Sequence, residues 1–258
     1  MSVAALHHER SGPRGGRALV LGSSLGTDTT MWDPLLGELS RAHDAIRFDH
    51  RGHGASPLPG GPSEIADLGG DVLALLDDLG LERVDYAGVS LGGMVGMWLA
   101  AHAPERIASL VVICSSALLG PPELWASRAA AVRDAGSVDA VADAVLDRWF
   151  SPSYAAAHPD VLAWMRRMLH DCPPEGYASL CEAIGGMDLR DALASIVAPT
   201  LVIAAAEDPA TPPAHSEAIA AAVAGSRLIV LPRGAHMAAI EHPGEVAAMI
   251  VSHVEAGT

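Results

Sequence analysis

Short apolar runs and helix-length amphipathic stretches alternate along most of this chain. Ala18-Leu19-Val20-Leu21, Ala45–Phe48, Val84–Ala87, Ile107–Ile113, Thr200–Ala205 and Leu228–Leu231 are short and mostly apolar, and turn or polar residues bound them. That is how buried strands read. Helical stretches lie between them. Ile65–Leu79 places apolar side chains at Ile65, Leu68, Val72, Leu75, Leu76 and Leu79, and it stops at Gly80. Gly93–Ala103, Pro213–Val223 and Pro243–Val254 read as further helices. Val3–His8 reads as a short first strand, and Ser11-Gly12-Pro13-Arg14-Gly15-Gly16 as a turn-rich break after it. Strand and helix take turns at both ends of the chain. The expected fold class is therefore α/β, with a mostly parallel central sheet and helices on both faces.

The middle of the chain differs. From Gly120 to about Arg190 no run reads as a strand. Amphipathic helical stretches fill it, broken near Gly136, Pro152, Pro159 and Pro173-Pro174. Three of the five tryptophans lie here: Trp125, Trp149 and Trp164. A helical insert between two halves of such a sheet reads as a lid over the strand ends. The expected division is a core of residues 1–119 and 191–258 with a helical lid (cap) of residues 120–190. There is no internal repeat and no low-complexity linker.

Composition narrows the function classes. With 258 residues, half of them hydrophobic, the chain can bury the core of one large domain or of a core with an insert. A formal net charge of −15 makes nucleic acid and anionic membranes poor partners. No apolar run is long enough to span a bilayer, and Met1–Gly16 has no apolar core of signal-peptide length. The three cysteines, Cys114, Cys172 and Cys181, are an odd number without metal-like spacing. They suit a reducing compartment, with free buried thiols favoured over a Cys172–Cys181 pair, so a cytoplasmic location is expected. The basic residues are all arginine. An anionic substrate would need a local arginine to offset the general negative field.

The chemistry centres on Gly88-Val89-Ser90-Leu91-Gly92, which fits G-x-S-x-G between an apolar strand and a helix. A sharp strand-to-helix turn strains its central residue, and small glycines on either side let the chain make it. The serine hydroxyl then stands at the top of the sheet. It is a weak nucleophile until a base takes its proton, and the base needs an acid to orient it. Asp208 follows the Thr200–Ala205 run and His236 follows the Leu228–Leu231 run, which gives the order Ser, acid, His on one rim. Glu207 is the rival acid. Backbone donors for the oxyanion are expected from Leu91, next to the serine, and from Leu25 in the loop Gly22-Ser23-Ser24-Leu25-Gly26. Asp49, His50 and His53 pose the choice between a metal site and hydrogen bonds that shape the rim. The rim role is preferred, and no metal or cofactor is expected. His7, His8, His43, His102, His158, His170, His215, His242 and His253 read for the most part as solvated.

With these residues in place the chain resembles the α/β-hydrolase family over nearly its whole length. Within that family it is similar to the 3-oxoadipate enol-lactonases of the β-ketoadipate pathway of aromatic catabolism. Ser24-Leu25-Gly26-Thr27-Asp28 with Met31-Trp32, then Asp49-His50-Arg51-Gly52-His53-Gly54 and Gly88-Val89-Ser90-Leu91-Gly92-Gly93-Met94, carry the resemblance. So do Glu207-Asp208-Pro209-Ala210-Thr211-Pro212-Pro213 and Gly234-Ala235-His236. Trp125 with Arg128, and Arg148-Trp149-Phe150, resemble the lactonase subfamily in particular. The chain departs at Ser23, where family members more often carry asparagine or histidine, and in a shorter first strand.

The resemblance implies an α/β-hydrolase fold with a helical lid and a carboxylic ester hydrolase. The triad would be Ser90, Asp208 and His236, forming an acyl-enzyme on Ser90. The implied partner is a small carboxylate-bearing lactone, which calls for an arginine. Trp125, Arg128 and Val132 share a helix face by spacing, so Arg128 can point where Trp125 points. Arg148 beside Trp149 is the second candidate, ahead of Arg133, Arg166 and Arg167. Other activities fit the same triad: a generalist carboxylesterase or perhydrolase, or a hydrolase of carbon–carbon bonds in ring-cleavage products. A haloalkane dehalogenase needs an aspartate where Ser90 stands. A ligand-binding protein on a retired hydrolase scaffold would bind without turnover. Oligomeric state is not readable.

Overall fold

The structure, a computed structural model, describes residues 3–15 and 18–256. Its elements follow the alternation of the sequence. Strands β1 (His8–Ser11) and β2 (Ala18–Gly22) precede helix α1 (Asp33–Ala42), β3 (Asp44–Phe48) and α2 (Ile65–Asp78). Then come β4 (Val84–Val89), α3 (Leu91–His102) and β5 (Ile107–Ile113). Five helices follow: α4 (Pro122–Ala135), α5 (Asp139–Trp149), α6 (Pro152–Ala157), α7 (Pro159–Asp171) and α8 (Pro174–Gly185). The chain ends with β6 (Thr200–Ala205), α9 (Pro213–Ala222), β7 (Arg227–Leu231), α10 (Ala238–Glu241) and α11 (Pro243–Ala256).

The strands form one seven-stranded sheet in the order β1-β3-β2-β4-β5-β6-β7. Every neighbouring pair is parallel except β1 with β3. Every residue of β2, β3, β4 and β6 is buried, as a sheet covered by helices on both faces requires. The buried polar residues of these strands are paired. Asp44 of β3 takes the Arg10 guanidinium, Arg47 reaches Glu9 and Asp33, and the Ser109 hydroxyl donates to Asp85 at 2.6 Å.

Two expectations about local structure need correction. The first strand is His8–Ser11, not Val3–His8. It lies at the sheet edge and reads His-Glu-Arg-Ser, so no apolar run marks it. Cross-strand charge pairs hold it instead: Glu9 stands opposite Arg47, and Arg10 bonds Asp44. The segment before it is tied down from outside the sheet. The Ala4 N–H donates to Asp71 at 2.7 Å and the His7 N–H to Ser56 at 2.8 Å. The predicted break then starts at Gly12, with φ of +100°; its last residue, Gly16, lies outside the described residues. The second is helix α1, an element that the apolar runs do not mark. Its Asp33-Pro34 start and buried Leu35 and Leu39, one turn apart, set it against α11.

Five helices and no strand stand between β5 and β6. The helix breaks fall at the positions the sequence marks. Gly136 ends α4 in the left-handed region (φ +63°), and Pro152, Pro159 and Pro174 open the next helices, where a missing N–H costs nothing. Side chains of α4, α5 and α8 line one cavity together with Leu25, Ser90 and His236, which follow β2, β4 and β7.

Candidate active site

Ser90 sits between β4 and α3 with φ 54° and ψ −113°, a strained backbone for a residue with a side chain. Its surroundings over-determine that turn. The Ser90 N–H donates to Ile113 O at 2.9 Å, and the Ser90 carbonyl accepts from Met94 N at 3.0 Å and from the Ser115 hydroxyl at 2.7 Å. The flanking glycines are required by close approach. A Cβ at Gly88 would stand 2.2 Å from Gly92, and one at Gly92 would stand 2.1 Å from the Gly22 carbonyl oxygen. The helix following this turn starts at Leu91, whose N–H belongs to the first turn and has no acceptor one turn back.

The Asp208–His236 pair is assembled from the ends of β6 and β7. His236 Nδ1 stands 2.9 Å from Asp208 Oδ2, and both side chains are buried. The Asp208 carboxylate accepts three further bonds, from Thr211 Oγ1 at 2.7 Å and from the Ala210 and Thr211 N–H groups at 2.8 and 3.0 Å. Burial opposes its ionisation. The facing His236, and the bonds from His236 and Thr211, overcome that and hold the carboxyl below its usual value. With Nδ1 donating to Asp208, His236 Nε2 is left as the unprotonated acceptor. Glu207, the rival acid, is exposed; its own N–H bonds Gly234 O at 3.1 Å on the outer side of the turn. Cys114 is fixed beneath this pair with φ 44°. Burial, and then the Asp208 charge, push its thiol well above the ordinary range.

Ser90 and His236 open into one cavity of about 160 Å³. Ser24 and Leu25 border it from the loop after β2, and Trp125, Arg128, Arg148 and Trp149 border it from α4 and α5. Arg128 lies over the Trp125 ring, 4.8 Å from its centroid, as the helix spacing predicts. Among the described residues neither Arg128 nor Arg148 pairs with a carboxylate. Arg133 bonds Glu175 and Glu182, and Arg166 bonds Asp143. Burial, and next the nearby Arg128 charge, lower the Arg148 pKa somewhat. Trp149 is buried, while the Trp125 indole donates to Leu119 O at 2.5 Å. One fully buried ring of this wall, Tyr177, was not anticipated. Its placement depends on α8 folding back onto the loop after β2, which no local pattern encodes.

A second unanticipated residue is Glu241. Its carboxylate accepts the Ala235 and Ser151 N–H groups, both at 2.9 Å, and the Ser151 hydroxyl at 2.7 Å. The Met237 N–H bonds Trp149 O at 2.8 Å. The loop that carries His236 is thus tied to the end of α5.

The Asp49–Ser56 loop shapes the rim by hydrogen bonds. His50 Nε2 stands 3.0 Å from Ser23 O, and His53 Nε2 accepts the Gly26 N–H at 3.0 Å. Arg51 forks onto Asp71 of α2 at 2.6 and 2.8 Å. Ser23, the point of departure from the family pattern, only approaches Asp28 O at 3.4 Å through its hydroxyl. No group of His, Cys, Asp and Glu among the described residues could hold a metal ion. All three cysteines are free and buried. His43 and His253, read from sequence as solvated, are buried instead: one follows α1 and the other faces Pro199 O from α11 at 3.1 Å. No helix among the described residues is long and apolar enough to cross a membrane.

Comparison with known proteins identifies the family. The model of the alpha/beta hydrolase family matches residues 6–249. The 3-oxoadipate enol-lactonase 2 of Acinetobacter baylyi is 37% identical over 239 residues, covering 93% of this chain and 89% of that protein. A protein of Variovorax paradoxus named provisionally as the carbamate hydrolase RutD is 35% identical over 249 residues, covering 90% and 89%. The crystal structure of the enol-lactonase from Burkholderia xenovorans is 40% identical, covers 98% of this chain and 97% of its own, and superposes with a TM-score of 0.94. The chain belongs to the alpha/beta hydrolase family, and it is a hydrolase.

Proposed function

We propose that this hydrolase opens 3-oxoadipate enol-lactone, a five-membered enol-lactone with an acetate side chain, to 3-oxoadipate. The observation that carries the reading is a cavity that joins Ser90 and His236 to Arg128 and Arg148, two arginines without acidic partners among the described residues, in a chain of net charge −15. A neutral ester gives such a pair nothing to bind, whereas a lactone with a carboxylate does. Similarity to two proteins named as enol-lactonases supports the same choice.

Helices α4–α8 act as the lid and supply the carboxylate site. Ser90 Oγ attacks the ring carbonyl while His236 Nε2 takes its proton. The tetrahedral oxyanion is held by the Leu25 and Leu91 N–H groups. Collapse breaks the ring C–O bond, and the enol oxygen leaves with the proton from His236. The enol then ketonises, which makes ring opening hard to reverse. Water, deprotonated by His236, attacks the acyl-enzyme and releases the second carboxylate and free Ser90. Asp208 keeps His236 in the required tautomer throughout.

The test follows loss of the enol-lactone's ultraviolet absorbance with the purified protein, beside Ser90→Ala and a neutral aryl acetate. Lactone turnover well above ester turnover, abolished in Ser90→Ala, is expected. Ester turnover without lactone turnover would overturn the substrate and leave the hydrolase.

A further inference from the structure

An oxyanion donor is useful only if its peptide is aimed before the substrate arrives. In this fold the peptides around Leu25 are held one by one. The Ser23 carbonyl accepts from His50 Nε2 at 3.0 Å and from the Gly92 N–H, beyond the nucleophile, also at 3.0 Å. The Ser24 carbonyl, in the same rigid plane as the Leu25 N–H, accepts the Thr27 N–H at 3.2 Å and the Thr27 hydroxyl at 2.8 Å. The next plane ends in the Gly26 N–H, which donates to His53 Nε2 at 3.0 Å. Gly26 has φ of +80°, and a Cβ there would stand 2.7 Å from Leu169 and 2.9 Å from Tyr177. This loop therefore has little room to relax by another route.

We infer that His53 is a positioning residue for the oxyanion hole, acting through the Gly26 N–H to hold the Leu25 peptide in its catalytic orientation. The role needs a neutral imidazole with its proton on Nδ1, and the contacts around the ring provide it. Nδ1 faces Arg51 O at 3.3 Å, Nε2 takes the Gly26 N–H, and the ring is fully buried. His50 and Asp28 are the titratable groups that face it. Burial, the largest influence, lowers the His53 pKa to about 4, so the acceptor stays available at neutral pH. His50 supports the preceding peptide in the opposite sense, as a donor to the Ser23 carbonyl.

The inference rests on the Leu25 N–H serving as an oxyanion donor, not on the identity of the lactone. Its test compares His53→Ala, His53→Asn and His53→Gln with the wild-type protein on a neutral aryl acetate and on the enol-lactone. Glutamine reaches as far as Nε2 and offers an oxygen acceptor; asparagine is too short. His53→Ala and His53→Asn should lose kcat by roughly 10- to 100-fold, the scale of an ångström-sized misplacement, with KM within about threefold. His53→Gln should recover most of that loss. A kcat within threefold of wild type in His53→Asn, or equal losses in Gln and Asn, overturns the assignment. The Asn–Gln pair decides the matter if the alanine variant does not fold. Wild-type activity on the ester alone sinks the lactone reading and leaves the His53 test intact.

Discussion

Replacing Asp208 by asparagine tests the acid assignment at the level of single hydrogen atoms. Asp208 Oδ1 receives two backbone donors, Ala210 N and Thr211 N. Asparagine has one amide oxygen, and those two N–H groups pin it at the Oδ1 site, because an NH₂ there would face two donors. The NH₂ then occupies the Oδ2 site, which faces His236 Nδ1 at 2.9 Å and Thr211 Oγ1 at 2.7 Å. Nδ1 must become an acceptor, so the proton moves to Nε2. An Nε2–H cannot take the Ser90 proton. Loss of the right tautomer costs up to ~10⁴ in kcat, or about 5.5 kcal/mol of barrier. The side-chain volume is nearly unchanged, the two backbone bonds remain and the bonds to His236 and Thr211 can reform with donor and acceptor reversed, so the fold should persist. Steady-state rates on an aryl acetate, with thermal melts as a control, measure both. A fall in kcat of less than tenfold with an unchanged melt would mean that another carboxylate, Glu207 first, orients the base.

Two further predictions concern charge. Arg128→Ala should lower kcat/KM for the carboxylate-bearing lactone by roughly 10- to 150-fold, the value of a charge-assisted bond, and change neutral aryl acetate hydrolysis by less than threefold. Equal losses on both substrates would make Arg128 a structural part of the lid. The second concerns acid. His50 and His53 are held neutral, with pKa values of about 3 and about 4, whereas the unfolded chain protonates them near 6.5. Stability from them is full above pH 6.5 and is lost as pH falls from there towards 4. For His53 alone the loss at pH 5 is about 2 kcal/mol. Between pH 7 and 5 the Tm of the wild-type protein should therefore drop further than that of His53→Gln by about 4–8 °C. Parallel drops would show that His53 titrates normally.

The sheet was legible because its strands are buried on both faces and carry continuous apolar runs, and the meeting of Ser90, Asp208 and His236 at one rim because the three follow such runs in order. The elements that escaped have other origins. β1 is an edge strand held by Glu9–Arg47 and Arg10–Asp44, and cross-strand charges separated by tens of residues leave no local period. α1 is short and only two of its residues, Leu35 and Leu39, are buried, although its Asp33-Pro34 start was there to be read. His43 and His253 looked like surface histidines because a single polar residue gives no sign of what the tertiary fold lays over it. Tyr177 and Glu241 act between segments far apart in sequence, 151 and 241 in the second case, so only the folded chain brings out their contacts.

The tie between α5 and the His236 loop divides labour within the same few residues. Trp149 offers its indole to the cavity and its carbonyl to Met237, and Ser151 and Glu241 complete the joint away from the cavity. The alignment of the His236 loop therefore depends on main chain at position 149, and the shape of the cavity on side chain. For a protein engineer these are separate handles. A new substrate profile can be sought by exchanging the side chains at Trp125, Val145 and Trp149 while Ser151 and Glu241 stay fixed, so that selection explores the cavity without dismantling the joint that holds the His236 loop beside it.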